Sequence, residues 1–190
     1  MHTRDLSSHA VYRAGRGVEE VARDLGLDPD DLVKLSSNEN PFGPSPAAVE
    51  AIRARADEVH TYPKAARADL VEALAEQWDV SDRQVWLGAG GDGVLDYIAR
   101  AFLDPGDRIL SLELEHGGHL SHGHPANFAG QLFEVEHYRV DPETGYLDYE
   151  GLAETAAEFD PDAIVSGFSA YPRQVDWERI DDVADAVDAY

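Results

Sequence analysis

The sequence predicts an α/β protein with a largely parallel sheet, and three observations carry that prediction. Short segments at Arg108–Leu114, Leu132–Tyr138 and Ala163–Val165, rich in Leu, Ile, Val, Phe and Tyr, have the length and composition of strands. Between and around them, apolar residues recur at the three-to-four spacing of amphipathic helices. Hydrophobic residues make up 43% of 190 residues, enough to build a core, and periodic Leu, Ile and Val along almost the whole length speak against disorder. Strands that alternate with helices need crossover connections, which favours parallel pairing.

The elements follow in chain order. Residues 17–25 have helical spacing and end at Gly26. Ser36 to Pro46, rich in Ser, Asn, Pro and Gly, reads as an ordered loop. Ser45 as N-cap and Pro46 at N1 open a helix with Val49, Ile52 and Val59 near one face. After Tyr62-Pro63, the residues Leu70, Val71, Leu74 and Trp78 stripe another helix. Gln84–Leu87 reads as a short buried strand entering Gly88-Ala89-Gly90-Gly91-Asp92-Gly93, and a helix with Val94, Leu95, Ile98 and Phe102 on one side follows. Asp104–Asp107 is a turn into the strand at Arg108. Asp141–Gly145 turns toward a helix carrying Tyr149, Leu152, Ala156 and Phe159, and Trp177, Ile180, Val183 and Val187 stripe a final helix.

Composition narrows the function classes. The formal net charge is −23, from 38 acidic against 15 basic residues, and a surface this negative repels nucleic acid. There is no Cys, hence no disulfide scaffold and no thiolate metal site. Met1-His2-Thr3-Arg4-Asp5 leads into no apolar segment and no stretch reaches membrane-spanning length, so the expectation is a soluble, cytoplasmic protein without membrane partners. Lys34 and Lys64 are the sole lysines; the remaining cations are Arg. Acidity spread along the chain makes the compact state repel itself, which concentrated salt relieves, and points to a halophilic cytoplasm.

The glycine turn is the first feature with chemistry in it. Backbone N–H groups at a helix N-terminus carry partial positive charge, and glycines let an anion approach them. Gly88-x-Gly90-x-x-Gly93, with Glu113 20 residues beyond, also matches a dinucleotide fingerprint. Against that reading, some eighty residues precede the turn and Asp92 sits inside it. A ligand-free turn and a cradle for a single phosphate are the other two readings, and the single phosphate fits best. His116, His119, His122 and His124 crowd nine residues and raise the question of zinc or nickel. Their Gly spacers and lack of interleaved acidic or Cys ligands read instead as a flexible loop, so no metal is expected.

Residues 1–112 resemble histidinol-phosphate aminotransferase. The resemblance rests on Leu35-Ser36-Ser37-Asn38-Glu39-Asn40-Pro41-Phe42-Gly43-Pro44-Ser45-Pro46, on His60-x-Tyr62-Pro63, on the 88–93 turn and on Ala101-Phe102-Leu103-Asp104-Pro105-Gly106-Asp107. It implies a dimeric fold-type I enzyme that uses pyridoxal 5'-phosphate. Gly91, Asp92 and Gly93 would bind the cofactor phosphate, Tyr62 would reach the phosphate of a neighbouring subunit, and Asn40 would lie in a segment covering the amino-acid substrate. Without the resemblance, Tyr62 reads equally as a core or turn aromatic before Pro63.

Residues 113–190 resemble serine hydroxymethyltransferase. Here the motifs are His116-Gly117-Gly118-His119-Leu120-Ser121-His122-Gly123, Asn127-Phe128-x-Gly130, Val140-Asp141-Pro142-Glu143-Thr144-Gly145, Gly167-Phe168-Ser169-Ala170-Tyr171-Pro172 and Val175-Asp176-Trp177. That family also has fold type I and the same cofactor, and moves one-carbon units between serine and a folate-type pterin. By resemblance His119 would stack on the cofactor ring and Ser169 would bond near its ring oxygen and phosphate. Leu114 and the run Gly118, His119 and Leu120 would touch the pterin.

Together the two resemblances imply an N-terminal arm and substrate-covering segment at 1–45. An incomplete large domain would follow at 46–190, its likeness changing near 108–115. The fold would be part of the fold-type I large domain. Both families need a Schiff-base lysine and an acid facing the cofactor's pyridine nitrogen. Both place them beyond the position of Tyr190, and neither Lys34 nor Lys64 stands where that lysine would, so no catalytic residue is assigned. The expected function is a module of an amino-acid-transforming transferase, inactive by itself. The histidinol-phosphate (histidine biosynthesis) type comes first, the hydroxymethyl type is the alternative, and a nicotinamide-dinucleotide module is a further one. A homodimer, or dependence on a missing C-terminal part, is the expected assembly.

Overall fold

The computed structural model describes residues 16–190 apart from 36, 38 and 64–66. Ser36, Asn38, Lys64 and the first fifteen residues of the expected arm therefore lie outside the described residues. The chain divides into two compact units, one ending at Val85 and the other spanning Trp86–Tyr190.

The first unit is helical. Helix α1 (Val18–Leu25) carries Glu19 and Glu20 in its first turn and Arg23 in its last, matching the helix dipole at both ends. Gly26 closes it in the left-handed conformation. Helix α2 (Pro46–Ala54) starts at Pro46 as expected, although the Ser45 side chain makes no capping bond. Helix α3 (Ala68–Trp78) ends where Asp79 turns left-handed. The apolar stripe expected on α2 is not buried within this unit: Ile52 is 69% and Val59 85% exposed, and Val59 lies beyond the helix.

The second unit is built on three parallel strands in the order β2-β1-β3, with β1 at Arg108–Leu112, β2 at Glu134–Tyr138 and β3 at Ala163–Val165. Register pairs Ile109 with Val135 on one side and with Ala163 on the other. Helix α4 (Gly90–Phe102) precedes β1, the short α5 (Ala129–Leu132) leads into β2, α6 (Tyr149–Phe159) joins β2 to β3, and α7 (Trp177–Ala186) follows β3. The central strand is buried on both faces, which explains the adjacent Ile109 and Leu110, with Leu112 following the buried Ser111. Strand alternation then separates two cores. Leu110 and Leu112 pack with Tyr138, Leu152, Ala156 and Ile180 on the side of α6 and α7. Ile109 packs with Ala129, Phe133 and Ala163, against which Ala99 and Leu103 lean. Both late helices are capped by acids: Asp148 accepts from the Gly151 N–H and Asp176 from the Arg179 N–H. Tyr190 sits beside β3 as a strand residue would, since its N–H donates to Asp162 O and its carbonyl accepts from the Ile164 N–H.

Two elements depart from expectation. The strand expected at Gln84–Leu87 does not form, and Trp86 is 69% exposed with its ring edge-on to Tyr97. An apolar run becomes a strand only where a neighbour receives its backbone bonds, and none of the three strands lies beside it. Helix α5 was not anticipated, because four residues cannot display a helical period.

The buried Tyr138 hydroxyl pairs with Ser166 Oγ at 3.3 Å, and burial pushes its phenol up to about 12. Tyr138→Phe is expected to cost about 1 kcal/mol, the usual net value of one such bond, read as a shift in a urea unfolding midpoint in high salt.

Candidate functional site

The glycine turn opens α4 directly. Gly90 takes a positive φ of 74°, Ala89 supplies no side-chain cap, and the first-turn N–H groups of a helix lack partners within it. A Cβ added at Gly91 would meet nothing within 4 Å, so open space lies before those donors. Gly88 is needed for packing instead, because a side chain there would strike Val94. This end of α4 therefore suits an anion, with the exposed Asp92 carboxylate as the opposing charge.

The loop after β1 comes to the same place. Asp92 Oδ1 and His119 Nδ1 lie 3.9 Å apart, which brings the helix turn and the histidine loop together. His119 is held by its neighbours: its Nδ1 accepts from the Ser121 N–H at 3.2 Å and lies 2.7 Å from Ser121 Oγ. Its backbone N–H donates to His122 Nδ1 at 3.3 Å, and the two rings meet edge to face at 5.9 Å. His122 is buried, and desolvation, reinforced by His119 and His137, pushes its imidazole down to about 4. It is neutral at physiological pH and can accept that N–H.

Gly118 explains why this loop lies so close to the sheet. A Cβ there would land on the Leu112 carbonyl oxygen. One residue earlier, Gly117 has a φ of 108° and leaves no room for a side chain against the Tyr171 backbone. Ser169, in the loop after β3, donates from Oγ to the Gly118 carbonyl at 3.1 Å. Residues 91–93, His119 and Ser169 thus converge beyond the C-terminal ends of β1 and β3, where parallel α/β sheets bind ligands. Gly118 is buried, Leu120 half-buried and Leu114 41% exposed in the same loop.

Tyr62 and Asn40 belong to the other unit. Tyr62 is 98% exposed, which excludes a core role within its own unit. Asn40 organises the turn it stands in, donating from Nδ2 to Gly43 O and accepting the Phe42 N–H at Oδ1. Lys34 is paired with Glu39 at 2.6 Å.

The dinucleotide reading loses both its supports. The turn is not preceded by a strand, and Glu113 is engaged with Arg139 Nε at 2.5 Å, which holds its carboxyl below the usual carboxylate range. No group of three or more His, Asp or Glu suited to a metal occurs among the described residues. Ser111 Oγ lies 3.0 Å from His137 Nδ1, but it is fully buried and its proton goes to the His122 carbonyl, so it is no nucleophile. That buried pair is the feature a sequence reading had no signal for.

Comparison with known proteins points to two enzymes. Residues 56–190 match the family model of serine hydroxymethyltransferase. A histidinol-phosphate aminotransferase of Haloarcula marismortui is 69% identical over 110 residues, covering 58% of this chain and 31% of that protein. A serine hydroxymethyltransferase of Halorubrum lacusprofundi is 60% identical over 130 residues, covering 65% of this chain and 31% of its own length. The Haloarcula marismortui serine hydroxymethyltransferase is 59% identical over 128 residues. The chain spans about a third of the length of these curated relatives. Their shares of this chain sum to more than the whole, so the two matched stretches overlap. Among the described residues no helix is long and apolar enough to cross a membrane.

Proposed function

Because the chain belongs to the serine hydroxymethyltransferase family, we propose that it is a pyridoxal-phosphate-binding module of the hydroxymethyl-transferring type. The observation that carries this reading is the juxtaposition of an imidazole, His119, with the glycine-rich N-terminus of α4. The donors fit the cofactor: N–H groups of Gly91, Asp92 and Gly93 hold its phosphate, the His119 ring lies against its pyridine, and the Ser169 hydroxyl bonds beside them. Pyridoxal phosphate supplies an electron sink for bonds at the α-carbon of an amino acid. The protein's part is orientation, and the anchoring of His119 by Ser121 and His122 is what fixes the plane of that ring. Leu114, Gly118 and Leu120 form the wall on which a folate-type pterin rests.

The aminotransferase reading stands second, favoured by the 69% identity over 110 residues. In that case Tyr62 reaches the phosphate of a second copy and Asn40 covers the substrate. Both readings place the module in a halophilic cytoplasm, as a homodimer or completed by further polypeptide. The segments 1–45 and 46–190 act as arm and large domain, with the change of likeness near 108–115.

Neither Lys34 nor Lys64 is proposed to bond covalently to the cofactor, so the 190-residue chain binds without turnover. Titration with pyridoxal phosphate in concentrated KCl should give a saturable absorbance change. His119→Ala should weaken it about tenfold, the worth of one ring-stacking contact. Borohydride should leave no adduct at a unique lysine; one discrete adduct would sink the claim. Micromolar NADH binding abolished by Glu113→Ala would restore the dinucleotide reading. Protection of the cofactor spectrum by histidinol phosphate, and not by tetrahydrofolate, would promote the aminotransferase.

A further inference from the structure

The sheet unit holds a cavity of about 380 Å³ between α4 and the sheet, apart from the proposed cofactor site. Ile98 and Ala99 of α4 wall it on one side, and Ile109, Val165 and Phe128 on the other. No charged residue lines it. Phe102 and Tyr190, both more than half exposed, stand at its rim with their rings 5.3 Å apart. An apolar cavity of roughly 150 Å³ already holds one benzene ring, so this one has room for about two.

One polar group opens on it. His122 lines the cavity and is only 6% exposed. Its Nδ1 accepts the His119 N–H, which in a neutral ring leaves the proton on Nε2. No described residue accepts that proton. Among the described residues no buried side-chain nitrogen is both sealed off and unpaired, so Nε2–H meets the open space its residue lines. The buried Ser121 hydroxyl is already engaged, 2.7 Å from His119 Nδ1. An apolar chamber with a single donor selects its occupant by exclusion. An anion finds no cation there and meets the field of a −23 chain, while a cation finds no carboxylate. A pure hydrocarbon leaves the His122 N–H dry and unpaired. We infer that this cavity binds a neutral aromatic molecule of about two rings with one hydrogen-bond acceptor, of the aryl ketone class. The carbonyl oxygen accepts from His122 Nε2–H, and the rings lie among Ile98, Phe128 and Val165. None of Gly91, His119 or Ser169 lines the cavity, so the site stands independently of the cofactor.

The probe is 2-acetylnaphthalene, titrated into the whole chain labelled with 15N-histidine, in concentrated KCl at pH 7.5. The free protein should show the Nε2–H tautomer at His122. The ketone should shift that nitrogen saturably, with a dissociation constant on the order of 100 μM for a ligand of this size. 2-Isopropenylnaphthalene has the same shape with CH2 in place of the carbonyl oxygen. It should bind about tenfold more weakly, the effect of leaving a buried donor unpaired. Ala99→Phe fills the chamber without touching His122, and should abolish binding of both while the urea midpoint stays at or above the parent's. Should that variant unfold, the ketone and alkene on the parent chain decide the question. Equal affinity for the two ligands overturns the inference, as does the absence of saturable shifts or an Nδ1–H tautomer at His122. A dimer seen by light scattering, disrupted by Ala99→Phe and indifferent to the ketone, would assign this face to a second copy and also overturn it. Pyridoxal phosphate should titrate identically with and without the ketone; competition between them would place the ketone in the other site and sink the inference. Ketone binding without cofactor binding would count against the cofactor reading alone.

Discussion

Gly118→Val should destabilise the sheet unit by about 3 kcal/mol or more and abolish pyridoxal phosphate binding in the same step. The added Cβ lands on the Leu112 carbonyl oxygen, with the Glu113 carbonyl close behind, and both atoms belong to backbone at the end of the central strand. Overpacking costs about 1–3 kcal/mol even where side chains can yield, and here nothing flexible stands in the way. The loop must move off the sheet instead. That breaks the bond from Ser169 Oγ to the Gly118 carbonyl and carries His119 away from Asp92. Urea unfolding in 3 M KCl, an order-of-magnitude match to salt that screens the acidic surface, reads the stability. Cofactor absorbance reads the site. A variant that unfolds like the parent and still binds would show that the loop does not depend on this approach.

Acidification should act on the same loop through His122. Its folded-state value of about 4 lies below the unfolded value of about 6.5, because burial penalises the charged ring and His119 and His137 repel it. Between those values the unfolded chain binds more protons than the folded one. The contribution is therefore fully present above about pH 6.5, falls as pH drops, and is gone below about 4. The ring's burial bounds the effect at about 3 kcal/mol. Protonation also removes the lone pair with which His122 Nδ1 holds the His119 N–H. Cofactor affinity should thus decline over the same window. His122→Asn can still accept that N–H through its amide oxygen but cannot titrate, so its stability should be flatter from pH 6.5 to 4. Carboxylate titration is common to both proteins and cancels in the comparison. Identical acid limbs would contradict this account.

The elements were legible wherever a period had room to repeat. Helices α4, α6 and α7 span ten to thirteen residues, and their apolar faces follow directly from side-chain spacing. The strands at 108 and 163 were legible as short, largely apolar runs, whereas Glu134–Tyr138 alternates exposed Glu134 and Glu136 with less exposed Val135 and His137, the period of a strand open on one face. Trp86 shows the limit of that logic. Its surroundings have a strand's composition, but strand formation needs a partner backbone, and composition says nothing of where a partner lies. The exposed stripe of α2 is the same lesson for a helix, since periodicity identifies a face and not what covers it.

The candidate site was legible residue by residue and not as an arrangement. Gly91, His119 and Ser169 each came from a motif, separated by 28 and 50 positions. Only the parallel order β2-β1-β3 brings the loops that carry them to one end of the sheet. The tautomers of His119 and His122 were beyond any motif, because each depends on one hydrogen bond from the fold. By itself the sequence determined chemistry and local geometry: an acidic chain with two lysines, a glycine-rich helix start, four clustered imidazoles and alternating strands and helices. Tertiary structure decided which of those groups meet, and which nitrogen of each ring is free to act. The reason is physical: local conformation depends on neighbours along the chain, whereas a binding site depends on distances that close only when the sheet does.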